Sequence, residues 1–218
     1  MPAFPPLPKS KLDTLPTELL QEIFLFSLNP SLPAASRALS TTLTGPHLRR
    51  RYLHEHRHSA PDLSRAFKAR FFTVEFLADY ERLFSRLEAE GTWIPLRLLY
   101  EDAGGALMEA LMERGAKWEP EAYDSVLEGL REALREQRES VVQVALRDEG
   151  VAVDTACLRV ALENGCGKPV LEVLAGRGAD VGDVGVWKAA LARDNELVEW
   201  LFTKATPPGE VLGQLMGR

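Results

Sequence analysis

The chain has 218 residues and a mass of 24.2 kDa, with 45% hydrophobic and 27% charged residues, a globular composition that can build one large domain or two small ones. A formal net charge of −6 and a pI near 5.4 argue against a general nucleic-acid binder, which would be basic overall. Cys157 and Cys166 are too few for a disulfide framework, and no stretch of about 18 apolar residues exists to span a membrane.

Residues 1–11 hold Pro2, Pro5, Pro6 and Pro8, which predict an extended or flexible lead-in. The start has no charged segment followed by an apolar run, so no secretory signal is expected. With two free thiols, that points to a soluble protein of the cytoplasm or nucleus.

A first helix is predicted to open near Leu15 and to run to about Leu28, before Asn29-Pro30. Leu15, Leu19 and Ile23 recur every four residues, and Leu20 and Phe24 widen that row into one apolar face. Pro16 suits a first helical turn, and Glu18 suits the positive end of the helix dipole. Leu32, Ala35 and Leu39 predict a second short helix, closed by the Ser40-Thr41-Thr42 cluster and Gly45-Pro46. A third begins near Pro46, with Leu48, Tyr52 and Leu53 on one side and Arg49, Arg50 and Arg51 around the other.

The segments "LPTELLQEIF", "LPAASRALS" and "TGPHLRRRYL" together resemble an F-box, particularly the version in fungal F-box proteins. The resemblance covers about a fifth of the chain, and the module it delimits is set at 12–58. It implies a three-helix unit that docks on the Skp-family adaptor of a cullin–RING ubiquitin ligase. The adaptor contact it implies falls on Leu15, Pro16, Leu19, Leu20, Ile23 and Phe24. Two departures stand out: no Trp follows the second helix, and "STTLTG" replaces a more basic stretch.

Residues 59–92 read as a helical linker or a first repeat. Phe67, Phe71, Val74, Leu77, Leu83 and Leu87 approximate a helical stripe, with Phe72, Phe76, Tyr80 and Phe84 beside it, a spacing expected of core.

From 93 to 218 the chain repeats. Four apolar segments begin at Ala106, Ser140, Pro169 and Glu196, and three partner helices are predicted before them at 125–138, 155–164 and 186–193. Gly115, Gly150 and Gly178, 35 and 28 residues apart, are placed to close the first three segments in a left-handed conformation. This half resembles degenerate ankyrin repeats, most clearly at "ACLRVALENGCGKPVLEVLAGRGADV", and the spacings bracket the ~33-residue ankyrin period. The Thr-Pro-Leu-His opening is absent from every repeat, so short, irregular fingers are expected. The fold class is therefore all-α: an F-box-like module followed by an ankyrin-like α-hairpin solenoid.

Several constellations imitate chemistry. His54-Glu55-His56-Arg57-His58 satisfies H-E-x-x-H, which would set two ligands one turn apart on a zinc-protease helix. It sits among arginines and before Pro61, with no third ligand segment downstream, so a solvated helix end is expected. Gly165-Cys166-Gly167-Lys168 lacks the spacing of a P-loop and reads as a turn between paired helices. The arginines at 49–51 read as a charged outer face, and Glu132 and Glu136 beside Arg131 and Arg135 as helix-surface ion pairs. No catalytic, cofactor or metal residue is assigned. The expected role is that of a substrate receptor for a ubiquitin ligase, with a protein client held by the repeats. The competing expectation is an ankyrin-type scaffold or assembly chaperone.

Overall fold

The computed structural model describes residues 12–27, 29–101 and 104–216. The Pro-rich lead-in and Leu28, where the first helix was expected to end, lie outside the described residues. Among the described residues the fold is all-helical, and extended pairing is confined to one isolated bridge between Trp93 and Lys117. The chain divides into two compact units, one closing at Thr92 and the other opening at Trp93.

Among the described residues the first unit holds five α-helices: α1 (Thr17–Phe26), α2 (Arg37–Leu43), α3 (Pro46–His56), α4 (Ala60–Phe67) and α5 (Val74–Leu83). Proline and small polar residues set their starts. Pro16 occupies the cap position of α1, one residue earlier than the first-turn place expected of it, with the extended backbone (ψ 147°) of a residue outside the helix. Ser36 caps α2 by accepting the Leu39 N–H at 3.1 Å, and Thr73 caps α5 by accepting that of Phe76 at 3.2 Å. Pro46 opens α3 and Pro61 lies in the first turn of α4.

The second predicted helix is corrected. Leu32–Ala35 is a separate 3-10 turn, because Ser36 takes an extended conformation before α2 begins. The Ser40-Thr41-Thr42 cluster does not end α2 either. The Thr41 and Thr42 hydroxyls donate to the carbonyls of Arg37 and Ala38, both at 3.0 Å, one turn back. Bonded in that way, they stay inside the helix.

α1 packs on α2 and α3, and α3 on α4. Phe24, Leu39, Leu43, Tyr52, Leu53 and Phe67 lie fully or almost fully buried among these helices. Residues 59–92 fall within this unit, and the expected stripe there is only partly regular. Phe67, Phe72 and Tyr80 are buried, whereas Leu83 and Phe84 at the end of α5 are exposed.

The second unit is built of paired helices. A 3-10 turn at Leu96–Leu99 precedes α6 (Gly104–Met112). Then come α7 (Tyr123–Arg135) with α8 (Glu139–Ala145), α9 (Thr155–Asn164) with α10 (Lys168–Gly176), and α11 (Val184–Arg193) with α12 (Asn195–Phe202). A final helix, α13 (Gly209–Met216), lies against α11. The first members of the pairs stack as α7, α9 and α11, and the second members as α6, α8 and α10, so the pairs form two layers. No pair can bury both apolar faces alone, and its neighbours supply the rest.

Polar bonds recur between successive pairs of this stack. The Gln137 amide donates to the Asn164 carbonyl (2.6 Å), the Gly167 N–H to Glu139 (2.5 Å), Arg193 to the Glu163 carbonyl (2.9 Å) and the Trp200 indole to Glu172 (2.7 Å). Partners in these four bonds stand 27 to 30 residues apart, so each bond ties one pair to the next.

The glycines need one correction. Gly115 and Gly178 have positive φ (94° and 99°) as expected, but Gly150 does not. α8 has already ended at Ala145, and Gly150 instead lies under the Tyr123 hydroxyl, which an added Cβ would meet at 2.2 Å. Its role is close approach rather than left-handed backbone.

Candidate protein-docking surface

On an α-helix, residues three and four apart share a face, and the next residue along turns by about 100°. The apolar residues of α1 therefore divide into two rows rather than one. Leu20, Phe24 and Leu25 form the inner row and are buried against the unit's own core. Phe24 is sealed there by the Tyr52 ring, 4.8 Å away between centroids. The outer row is left to solvent, with Leu19 52%, Ile23 38% and Phe26 80% exposed. Leu15 is half-buried and Pro16 exposed at the head of that row.

The six residues expected to contact a partner are thus separated by the fold. Leu15, Pro16, Leu19 and Ile23 lie along the accessible side, and Leu20 and Phe24 lie inside. Phe26 was not among the six, although its place three residues after Ile23 continues the outer row. Exposed Glu18 and Glu22 border the row, and Glu22 lies 3.8 Å from Arg51 on α3. Such a surface can bury apolar groups of another chain and orient them by charge at its rim.

His54 and His56 of the H-E-x-x-H string serve packing. α3 ends at His56, so His58 lies beyond the helix that would have aligned it with His54. The His54 ring stacks on Phe84 at 4.3 Å, and its Nδ1 lies 3.5 Å from the Tyr80 hydroxyl. Burial, then the nearby Arg57 charge, lowers the His54 pKa. His56 places Nε2 2.8 Å from the Leu25 carbonyl and Nδ1 3.7 Å from Asp62, joining the ends of α1, α3 and α4. Among the described residues no three His, Cys, Asp or Glu side chains converge as a metal site would need.

The remaining candidates resolve into structure. Gly165 (φ 70°) closes α9 and Gly167 opens α10, so residues 165–168 are the turn between paired helices. Cys157 and Cys166 are free and buried, and burial pushes their thiols up to about 12 and about 11. Thiols held so far above neutrality are poor nucleophiles. The three arginines diverge: Arg49 lies over the Phe71 ring at 4.8 Å, Arg50 is 3.9 Å from Asp79, and Arg51 is 3.8 Å from Glu55. On α7, Arg131 pairs with Glu128 (2.9 Å) and Arg135 with Glu132 (2.7 Å), three residues apart in each case.

A cleft of about 590 Å³ in the second unit lies between the exits of α6 and α8, lined by Met112, Lys117, Tyr123, Arg147 and Asp148 among others. Its charges are mixed, which suits a polypeptide surface better than a single small ion.

Comparison of the chain with protein-family models, with curated proteins and with solved structures gave no match.

Proposed function

We propose that the chain is a substrate-receptor subunit of a Skp–cullin–F-box ubiquitin ligase, working in the cytoplasm or nucleus. The F-box-like module, 12–58, takes the adaptor, and the ankyrin-like stack from 93 onward takes a protein client. The observation that carries the proposal is the outer row of α1. Leu19, Ile23 and Phe26 stay exposed on a helix whose other side is fully committed to the core. Each large apolar side chain buried at an interface contributes about 1.5–3 kcal/mol, so three anchors can dominate such a contact.

Client capture is assigned to the stack of helix pairs. Successive members of its two layers start 27 to 35 residues apart, around the ~33 residues of an ankyrin repeat. The receptor contributes no chemistry of its own in this scheme. It raises the effective concentration of the client beside the ubiquitin-charged enzyme.

Copurification from lysate tests the proposal. Adaptor and cullin should accompany the parent chain and be lost from Leu19→Asp combined with Ile23→Asp, while helical circular dichroism is unchanged. Retention of adaptor by that variant overturns the proposed contact. Recovery of other stoichiometric partners without adaptor or cullin overturns the ligase role in favour of a scaffold.

A further inference from the structure

A second cleft lies in the first unit, among residues 30–34, α2, Arg49 of α3 and the loop that joins α4 to α5, with a volume of about 450 Å³. Its lining is charged in one sense only. Arg49, Lys68 and Arg70 contribute three cations and Ser31, Ser40 and Thr44 three hydroxyls, and no Asp or Glu is present. Pro33, Ala69 and Phe71 give it an apolar wall. The chain as a whole carries 32 acidic against 26 basic residues, so a cleft with three cations and no acid runs against its average.

Arg49 is the informative member. Its guanidinium carbon stands 4.8 Å above the Phe71 ring, which holds the head in place. Its Nε is buried without a hydrogen-bond acceptor among the described residues. Burial lowers the Arg49 pKa, and among the described residues no carboxylate acts to restore it. The neighbouring Arg50 and Arg51 are both matched to acids, at 3.9 Å and 3.8 Å. A part-desolvated guanidinium without a counter-charge is costly unless something supplies one.

We propose that this cleft binds a phosphate monoester. A phosphoryl dianion offers the charge that three cations require and enough acceptor oxygens for guanidinium, ammonium and hydroxyl donors together. The apolar wall provides room for the organic group bearing the phosphate, and the volume lies in the ~300–1,000 Å³ range of small-ligand sites. A nucleic-acid backbone fits less well, because its extended row of charges needs further free cations beside the cleft, and the neighbouring Arg50 and Arg51 are already matched to acids. The site is separate from the outer row of α1 and holds whether or not α1 docks on an adaptor.

Titration calorimetry on the full chain tests the site, with inorganic phosphate, glycerol 3-phosphate and a phosphoserine peptide as probes. Saturable binding of phosphate is expected, weakened about ten-fold or more by Lys68→Gln combined with Arg70→Gln, as loss of charged hydrogen-bond donors demands. Both positions are exposed on a loop, and each single substitution is measured beside the pair. Lys188→Gln, in the other unit, should leave binding unchanged. Tighter binding of the phosphopeptide identifies the source as a modified polypeptide, and tighter binding of glycerol 3-phosphate a small metabolite; both uphold the site. Absence of saturable phosphate binding overturns it. So does an unchanged affinity in the double variant, or binding of a single-stranded oligonucleotide where phosphate fails.

Discussion

The indole N–H of Trp118 donates to the carbonyl oxygen of Ala145, 27 residues further along, at 3.1 Å. The backbone N–H of the same tryptophan donates to the Asp148 carboxylate at 2.9 Å. Trp118 follows α6 and Ala145 ends α8, so one side chain joins two successive helix pairs while almost completely buried. Trp118→Ala should cost about 3–5 kcal/mol through the cavity it leaves. Trp118→Phe should cost about 1–3 kcal/mol, because the Ala145 carbonyl loses its donor. Urea unfolding followed by circular dichroism reads both. Equal stability of parent and Phe variant would show that the bond contributes nothing.

Asp154 performs two tasks at the start of α9. It accepts the Cys157 N–H at 3.0 Å as the helix cap, and it forms a short ion pair with Arg131 of the preceding pair. Partial burial works against its ionisation, but the bonds from Arg131 and Cys157 outweigh this and hold its carboxyl below the ordinary value. A depressed carboxyl contributes stability that is fully present above its unfolded pKa of about 3.9 and fades as pH falls through the lower folded value. Asp154→Asn keeps a capping side chain and removes the charge. At pH 7 it should be less stable by about 1 kcal/mol or less, as for a part-exposed pair. Repeated in increasingly acid buffer, the difference between parent and variant should shrink. A gap independent of pH would exclude the ion pair as its origin.

Tyr52 presents the opposite case. It is fully buried between Phe24 (4.8 Å) and His56 (4.5 Å), and its hydroxyl has no hydrogen-bond partner among the described residues. Burial, then the Asp62 charge, raises its pKa to about 12, so the hydroxyl stays neutral at any ordinary pH. An unsatisfied buried hydroxyl costs about 1–3 kcal/mol relative to a paired one. Tyr52→Phe should therefore match the parent or exceed it by up to about 1 kcal/mol in thermal unfolding. A loss larger than that would mean the hydroxyl is satisfied after all.

How well the sequence foretold these features follows their physical scale. The helix pairs of the second unit were legible because each carries its own period and its own punctuation: 155–164 was anticipated to the residue, with Asp154 before it and Gly165 after it. Gly150 misled, since a glycine can serve close packing as well as a left-handed turn, and only the position of Tyr123 separates the two. The break at Ser36 was hidden because leucines spaced for a helix also suit a 3-10 turn followed by a capped helix. The cationic cleft was illegible for another reason. Its residues come from three separate stretches, 30–44, Arg49 and 68–71, which no local period connects.

The face of α1 was legible as apolar but not as two rows. Leu15, Leu19, Leu20, Ile23 and Phe24 read as one broad stripe until α2 and α3 cover one side of it. Stability measurements separate the rows before any partner is sought. Phe24→Ala, at a fully buried site against Tyr52, should cost about 3–5 kcal/mol. Leu19→Asp with Ile23→Asp should change stability by no more than about 0.5 kcal/mol per site, as for exposed positions. It should also improve solubility, because the exposed row no longer promotes association. Equal losses from the two rows would mean that Leu19 and Ile23 belong to the core. The double Asp variant would then be an unfolding mutant, and its failure to retain an adaptor would carry no information about docking.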